Sequence, residues 1–401
     1  MKEGRLYVID GLRGWAALIV YFFHLRGLFY LNDKNFFDQI FGKTPLQLLV
    51  DGEAAIFLFF ILSGFSLSYK FFMEKDNRYL QEAAQYRYFR LVVPVFFALL
   101  LPYILITFNL MFNSQAYFGA YEKHFTVYEM FKYSFFELPF KYGASHAVFG
   151  PVFWTIYLEF TASLIIFSLL ALFGKWNLRF LLYILLIKLT YSMQAFASFY
   201  FLFLVGVIIC DVFCLQKKYA NTTKRYVLKE KQMWGVLCLA LLILYYYMTV
   251  ILGYKIFTHR SKYYFLMLLF IASLYLPILG DFFSSRLSRF LGRISFAVYL
   301  IHFPILCSFA CVISNSIKHQ YSLFISSFII LLVTTPVVLY VAYLFTVFIE
   351  ERLLISIKST LRNIGKSRNL VEAAKPTFYG ALFSKANIEN KAASMDTTIP
   401  N

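Results

Sequence analysis

Charge is what this sequence has least of. Lys, Arg, Asp and Glu make up 15% of its 401 residues, against about 25% in an ordinary soluble domain. Acid is scarcer still, with 21 Asp and Glu facing 38 Lys and Arg. A water-facing surface needs more charge than this, so a soluble globular fold is excluded for most of the chain. The five cysteines do not form a disulfide framework: Cys210 and Cys214, like Cys307 and Cys311, sit four apart inside apolar runs. No histidine or carboxylate array accompanies either pair, so no metal site is expected and small packing residues account for them. Period-two alternation is also missing, which argues against a membrane β-barrel.

What the sequence does have is apolar length. It is 60% hydrophobic and 21% aromatic, in blocks of about 17–25 residues, enough for a helix to cross roughly 30 Å of hydrocarbon. Lipid offers no water to backbone N–H and C=O groups, so spanning segments must satisfy them internally. The expected fold is therefore all-α, a polytopic membrane bundle of about ten transmembrane helices. The spans fall at roughly 13–31, 54–72, 91–111, 151–173, 178–192, 196–214, 232–253, 263–279, 294–313 and 322–349. The fifth is short and interrupted by Lys188. No small-residue cleavage site follows the first block, so it is read as a retained helix rather than a secretory signal.

The formal net charge of +17 would suggest nucleic-acid binding in a soluble protein. Here the basic residues cluster in loops that fall on one side, including Arg5, Lys75, Arg78, Lys217 and Arg286. The positive-inside rule then places both termini in the cytoplasm, and no nucleic-acid partner is expected. Residues 1–352 read as one membrane-embedded domain. The tail 353–401 loses the apolar blocks and reads as cytoplasmic and partly disordered. The longest outer loop, about 112–150, is rich in Tyr and Phe; it either lies on the membrane surface or roofs a cavity.

Polar side chains within spans are costly, and each marks a possible functional site. Arg13 and His24 lie eleven residues apart, which puts them on one helical face about 16 Å apart along the axis. Asp10 is spaced to pair with Arg13. The bland alternative has Arg13 reaching headgroups and His24 bonding a neighbouring helix. Ser63-Gly64 falls mid-span, where a small pair lets helices approach closely; a nucleophilic serine would need a base beside it. Arg87 and Arg90 share a helical face at the inner surface, as ordinary positive-inside charge or as a clamp for a phosphorylated ligand. Glu159, in the fourth span, falls at a depth similar to His24. It wants a cationic or hydrogen-bonding partner, with His24 and Lys188 as candidates. Arg293 opens the ninth span, followed by Tyr299 and by His302 beside Pro304, which should kink the helix. A buried histidine such as His302 is commonly a satisfied structural one.

These residues fall into six segments: Asp10-Gly11-Leu12-Arg13, Arg13-x10-His24, Phe59-Phe60-x-x-Ser63-Gly64-Phe65, Arg87-x-x-Arg90, Trp154-x4-Glu159 and Gly292-Arg293-x-Ser295-x3-Tyr299-x-x-His302-x-Pro304. In this order and spacing, from about residue 5 to 350, the chain resembles the acyltransferase-3 family of membrane acyltransferases. The resemblance implies a cytosolic acyl-CoA donor, acetyl-CoA above all, and no permanently bound cofactor. It implies an acceptor hydroxyl on the opposite side: a surface-polysaccharide sugar, other exported glycans or a small lipophilic molecule. It also implies essential roles for Arg13 and His24 and a functional role for Arg87 and Arg90. On this basis His24 and Glu159 are the expected catalytic pair, and Arg13, Arg87, Arg90 and Arg293 the expected donor-binding set. Asp10, Ser63, Tyr299, His302 and Lys188 would support them. The expected location is a bacterial inner membrane.

One departure stands out. The family commonly carries an acidic residue two positions before the Phe-Phe pair, where this chain has Phe57; Glu53, one turn earlier, is a partial substitute. No soluble esterase-like domain of the kind fused to some relatives is expected after residue 350. A transporter or flippase of an anionic or sugar-linked substrate is the competing reading, since charges within spans also mark transport paths. The inverted repeats that many transporters show are not apparent in the sequence. A ligand-binding receptor leaves the buried Glu and His unexplained.

Overall fold

A computed structural model describes residues 6–29, 35–41, 45–113, 120–121, 123–141, 143, 146–192, 197–220, 227–246, 261–357, 359–360 and 363. All regular elements among them are helical. The principal helices are α1 (Tyr7–Gly27), α2 (Gly52–Glu74), α3 (Asn77–Thr107), α4 (Trp154–Phe173), α5 (Arg179–Ser192), α6 (Ala197–Ala220), α7 (Val227–Tyr246), α8 (Ser261–Tyr275), α9 (Pro277–Phe283), α10 (Arg286–Ile305) and α11 (Leu323–Phe345). Residues to Arg352 form one compact unit and those from Leu353 a second. The tail segment 386–401, where disorder is expected, lies outside the described residues.

Among the described residues, seven helices are long and apolar enough to span a membrane: α1, α2, α3, α4, α6, α10 with its π-helical continuation, and α11. Large apolar side chains point outward from the bundle, among them Ile165, Leu172, Ile184 and Leu332. A surface of that kind is solvated by lipid, not water. This is an integral, multi-pass membrane protein.

The remaining expected spans differ in detail. Over 263–279 the structure has α8 and α9, bent by 95°. Pro277 is the cause: Leu276 before it is extended, because proline disfavours helical backbone in its predecessor. Helix α5 has 14 residues and the apolar core of α7 runs only over Met233–Leu244. Residues 247–253 of the expected seventh span lie outside the described ones.

Glycine sets two close helix crossings. A Cβ on Gly14 of α1 would strike the backbone of Gly292 on α10, and one on Gly292 the Asp10 carbonyl. Gly64 on α2 meets Phe203 of α6 in the same way, and Gly206 meets Ile61. Only hydrogen in place of a side chain permits such contact. Trp15 Nε1 also donates to Ser288 Oγ at 3.0 Å, tying α1 to α10 near the crossing.

The described residues of the loop over 112–150 pack on the bundle rather than lying wholly on a surface. Tyr121, Phe125 and Tyr133 are buried, Tyr121 lies 6.1 Å from the Phe303 ring, and Tyr88 Oη donates to the Phe135 carbonyl at 2.6 Å.

Candidate active site

Four helices converge on a charged cluster inside the bundle. Arg13 of α1 reaches the Leu62 carbonyl of α2 at 3.4 Å. Next to it, Ser63 Oγ donates to Glu159 Oε1 of α4 at 2.8 Å. The same oxygen accepts from Arg87 Nη2 of α3 in a short ion pair. Arg13 also lies within electrostatic reach of Arg90, Glu159, Asp10 and Arg87. Arg87 is buried, and its Nε has no hydrogen-bond partner among the described residues. A buried donor left unpaired costs free energy, so the cluster has capacity for another acceptor.

Ten residues beyond Gly14 and Gly292, the same two helices bring a second pair together. His24 Nδ1 lies 3.0 Å from His302 Nε2, their ring centroids 5.0 Å apart. His24 Nδ1 is also 3.0 Å from the Val20 carbonyl, and His302 Nδ1 is 2.8 Å from the Val298 carbonyl. His302 is wholly buried. Between the two clusters, Tyr299 Oη donates to the Val152 carbonyl at 2.5 Å and lies 2.5 Å from Thr155 Oγ1. Thr155 stands one turn before Glu159, so polar groups run through the core from Arg87 to His24.

A cavity of about 270 Å³ opens beside His24. Its walls include Phe57, Trp154, Phe199 and Tyr299, with Glu53 as the carboxylate among its lining residues. Glu53 Oε2 and Asp51 Oδ2 hold Lys262 at 2.8 and 2.7 Å. Phe57, standing where the family commonly has an acid, is packed 4.8 Å from the Tyr263 ring.

The structure departs from three sequence expectations. Glu159 pairs with Arg87 and Ser63 rather than with His24 or Lys188, because Arg87 is drawn into the bundle instead of staying at its surface. Lys188 is exposed on α5, a position from which it does not neutralise that carboxylate. Arg293 is exposed and held by both oxygens of Glu351, each at 2.6 Å, so its Nε and one Nη2 donor are committed. Arg90 is exposed as expected of a basic rim. All five cysteines are free and buried. Among the described residues no group of three or more His, Cys, Asp or Glu is arranged to hold a metal.

Sequence reasoning missed the His24–His302 contact and Thr155. The signal for the first was available: His24 follows Gly14, and His302 follows Gly292, by the same ten residues.

The family model described as an acyltransferase domain matches residues 6–347, which include both clusters. The chain belongs to the acyltransferase-3 family. It is an acyltransferase, and so an enzyme. It is also similar to O-acetyltransferase PaAT-1 of Phomopsis amygdali, 25% identical over 362 residues that cover 74% of this chain and 71% of that protein. No solved structure matches the chain.

Proposed function

We propose that this acyltransferase moves an acetyl or similar acyl group from cytosolic acyl-CoA to a hydroxyl on the opposite side of the membrane. The observation that carries this reading is the placement of Arg13 and His24 on α1. One belongs to the arginine cluster, and the other lines the cavity about 16 Å along the helix. Arg13, Arg87 and Arg90 would meet the phosphates of CoA, for which guanidinium geometry is well suited; the unpaired Arg87 Nε supports that role. Arg293 would join them only after leaving Glu351. The pantetheine arm then spans the distance to the imidazoles.

In the transfer, His24 Nε2 takes the proton of the acceptor hydroxyl. The oxygen forms a bond to the thioester carbonyl carbon, the carbon–sulfur bond breaks, and the proton passes from His24 to the departing sulfur. Imidazole suits both proton transfers because one ring nitrogen takes up and releases the proton while the other keeps its hydrogen bond. Glu159 acts on Arg87 and Ser63 in this scheme, holding the donor-binding cluster.

The acceptor we favour is a cell-surface polysaccharide sugar, with Trp154 and Glu53 at the cavity as stacking face and hydroxyl acceptor. The basic end of the bundle then faces the cytoplasm, with both termini and the tail, in a bacterial inner membrane. Counting the bent α8–α9 pair once and adding α5 and α7 gives about ten spans. The relative's name, an O-acetyltransferase, supports a hydroxyl acceptor. The test is purified protein in sealed vesicles, with acetyl-CoA supplied to the basic face and an acceptor glycan to the other. Thiol release together with acetyl ester on the glycan supports the reading; passage of glycan with no thiol released refutes it.

A further inference from the structure

We infer that His302 is the positioning residue of the transfer, holding His24 in the one tautomer that can act as base. The inference rests on the reading of His24 as base. It starts from an oxygen that only accepts. The Val298 carbonyl, 2.8 Å from His302 Nδ1, requires the hydrogen of a neutral His302 to sit on Nδ1. Its lone pair is then on Nε2, the atom that faces His24 Nδ1 at 3.0 Å. The Val20 carbonyl imposes the same hydrogen position on His24. Nδ1–H of His24 therefore points between two acceptors, and its basic lone pair lies on Nε2.

Val20 alone is a poor guide for the ring. A helical carbonyl already accepts the backbone N–H four residues on, here that of His24 itself. His302 supplies a second acceptor from another helix, and it is rigidly seated. Its ring is fully buried, with Tyr21 edge-on at 6.4 Å and Phe303 edge-on at 6.3 Å. Tyr21 is itself fixed by Thr335 of α11 at 3.1 Å. The glycine contact between Gly14 and Gly292 sets the spacing of the two histidine-bearing helices.

Serine hydrolases give the orienting task to a carboxylate. In a dry membrane core a carboxylate would leave a buried charge whenever the base is neutral. A neutral imidazole gives the same lone pair without that cost. It accepts the Nδ1–H bond more strongly while His24 carries the proton taken from the hydroxyl, and the bond relaxes when that proton reaches sulfur. His302 itself gains and loses no proton.

Three variants separate this role from simple packing. His302→Phe keeps the volume and removes the acceptor. His302→Gln puts an oxygen near the place of Nε2, and His302→Asn puts its amide near Nδ1 only. His302→Phe and His302→Asn should lower kcat about 100-fold, at the lower end of what acid–base groups contribute, with KM for acetyl-CoA and for acceptor within about twofold. His302→Gln should recover roughly tenfold of that loss. If the Phe variant does not accumulate, the Gln and Asn pair carries the same comparison. Equal loss in all variants with raised KM values, or undiminished kcat in His302→Phe, overturns the inference. His24→Ala measured in parallel tells the two failures apart. A dead His24→Ala beside an active His302→Phe refutes only the positioning role, whereas an active His24→Ala refutes the base and this inference with it.

Discussion

Gly14 of α1 and Gly292 of α10 touch backbone to backbone, and each precedes by ten residues a histidine that touches the other's. Two contacts in the same order along both helices mean that α1 and α10 run parallel, with matched rises of about 15 Å between crossing and histidine. A side chain at the crossing must push the helices apart and separate the imidazoles. Gly14→Leu should therefore destabilise the protein by about 1–3 kcal/mol or more, read as a lower melting temperature in detergent, and remove acyl transfer. Gly280→Ala is the control, since its Cβ would meet nothing closer than Ser273 O at 3.5 Å; it should melt and turn over like the parent.

The Arg87–Glu159 pair distinguishes folding from donor binding. Glu159→Ala leaves a buried guanidinium without its carboxylate and should cost about 3–5 kcal/mol. Replacing both residues by Met removes the charges together and should restore most of the melting temperature. Donor KM should stay raised roughly tenfold, because the phosphate contact is lost. Acetyl-CoA titration alongside thermal melting checks this; a double variant normal in both would leave Arg87 with no part in donor binding.

Arg179 and Asp211 form the contrasting case. Arg179 of α5 grips Asp211 of α6 through Nε at 2.5 Å and Nη2 at 3.0 Å, and Tyr183 adds a bond at 3.2 Å. Asp211 is buried and satisfied on both oxygens. Asp211→Ala should destabilise by about 3–5 kcal/mol with KM for both substrates unchanged, as kinetics on the folded fraction would report.

Much of this was legible in the sequence, and the shortfalls have physical causes. Apolar length located most of the spans because hydropathy and crossing distance are one-dimensional properties. The 100° step along a helix put Arg13 and His24 on one face. Partner choice was not legible: depth alone points Glu159 to His24 and Lys188, but the structure brings in Arg87 from α3, a packing fact no spacing encodes. Lys188 looked buried because its neighbours are apolar, yet those neighbours face outward. The α8–α9 bend follows from Pro277, and a window average does not register it.

On the cavity side, Glu53 is the carboxylate nearest the role of the missing acid at Phe57. It lines the cavity while bound to Lys262. Glu53→Gln should raise acceptor KM roughly threefold to tenfold, about the worth of one hydrogen bond, and leave donor KM alone. Initial rates at varied acceptor would show it; a change in donor KM instead would move Glu53 out of the acceptor site.

The most direct measurement compares acetyl-CoA binding with turnover in His24→Ala. Titration of acetyl-CoA into the purified variant should give parental affinity, since the arginine cluster is intact. Acyl transfer should fall at least 100-fold, the lower end of a general base's contribution. Transfer at near-parental rate in that variant would contradict the account.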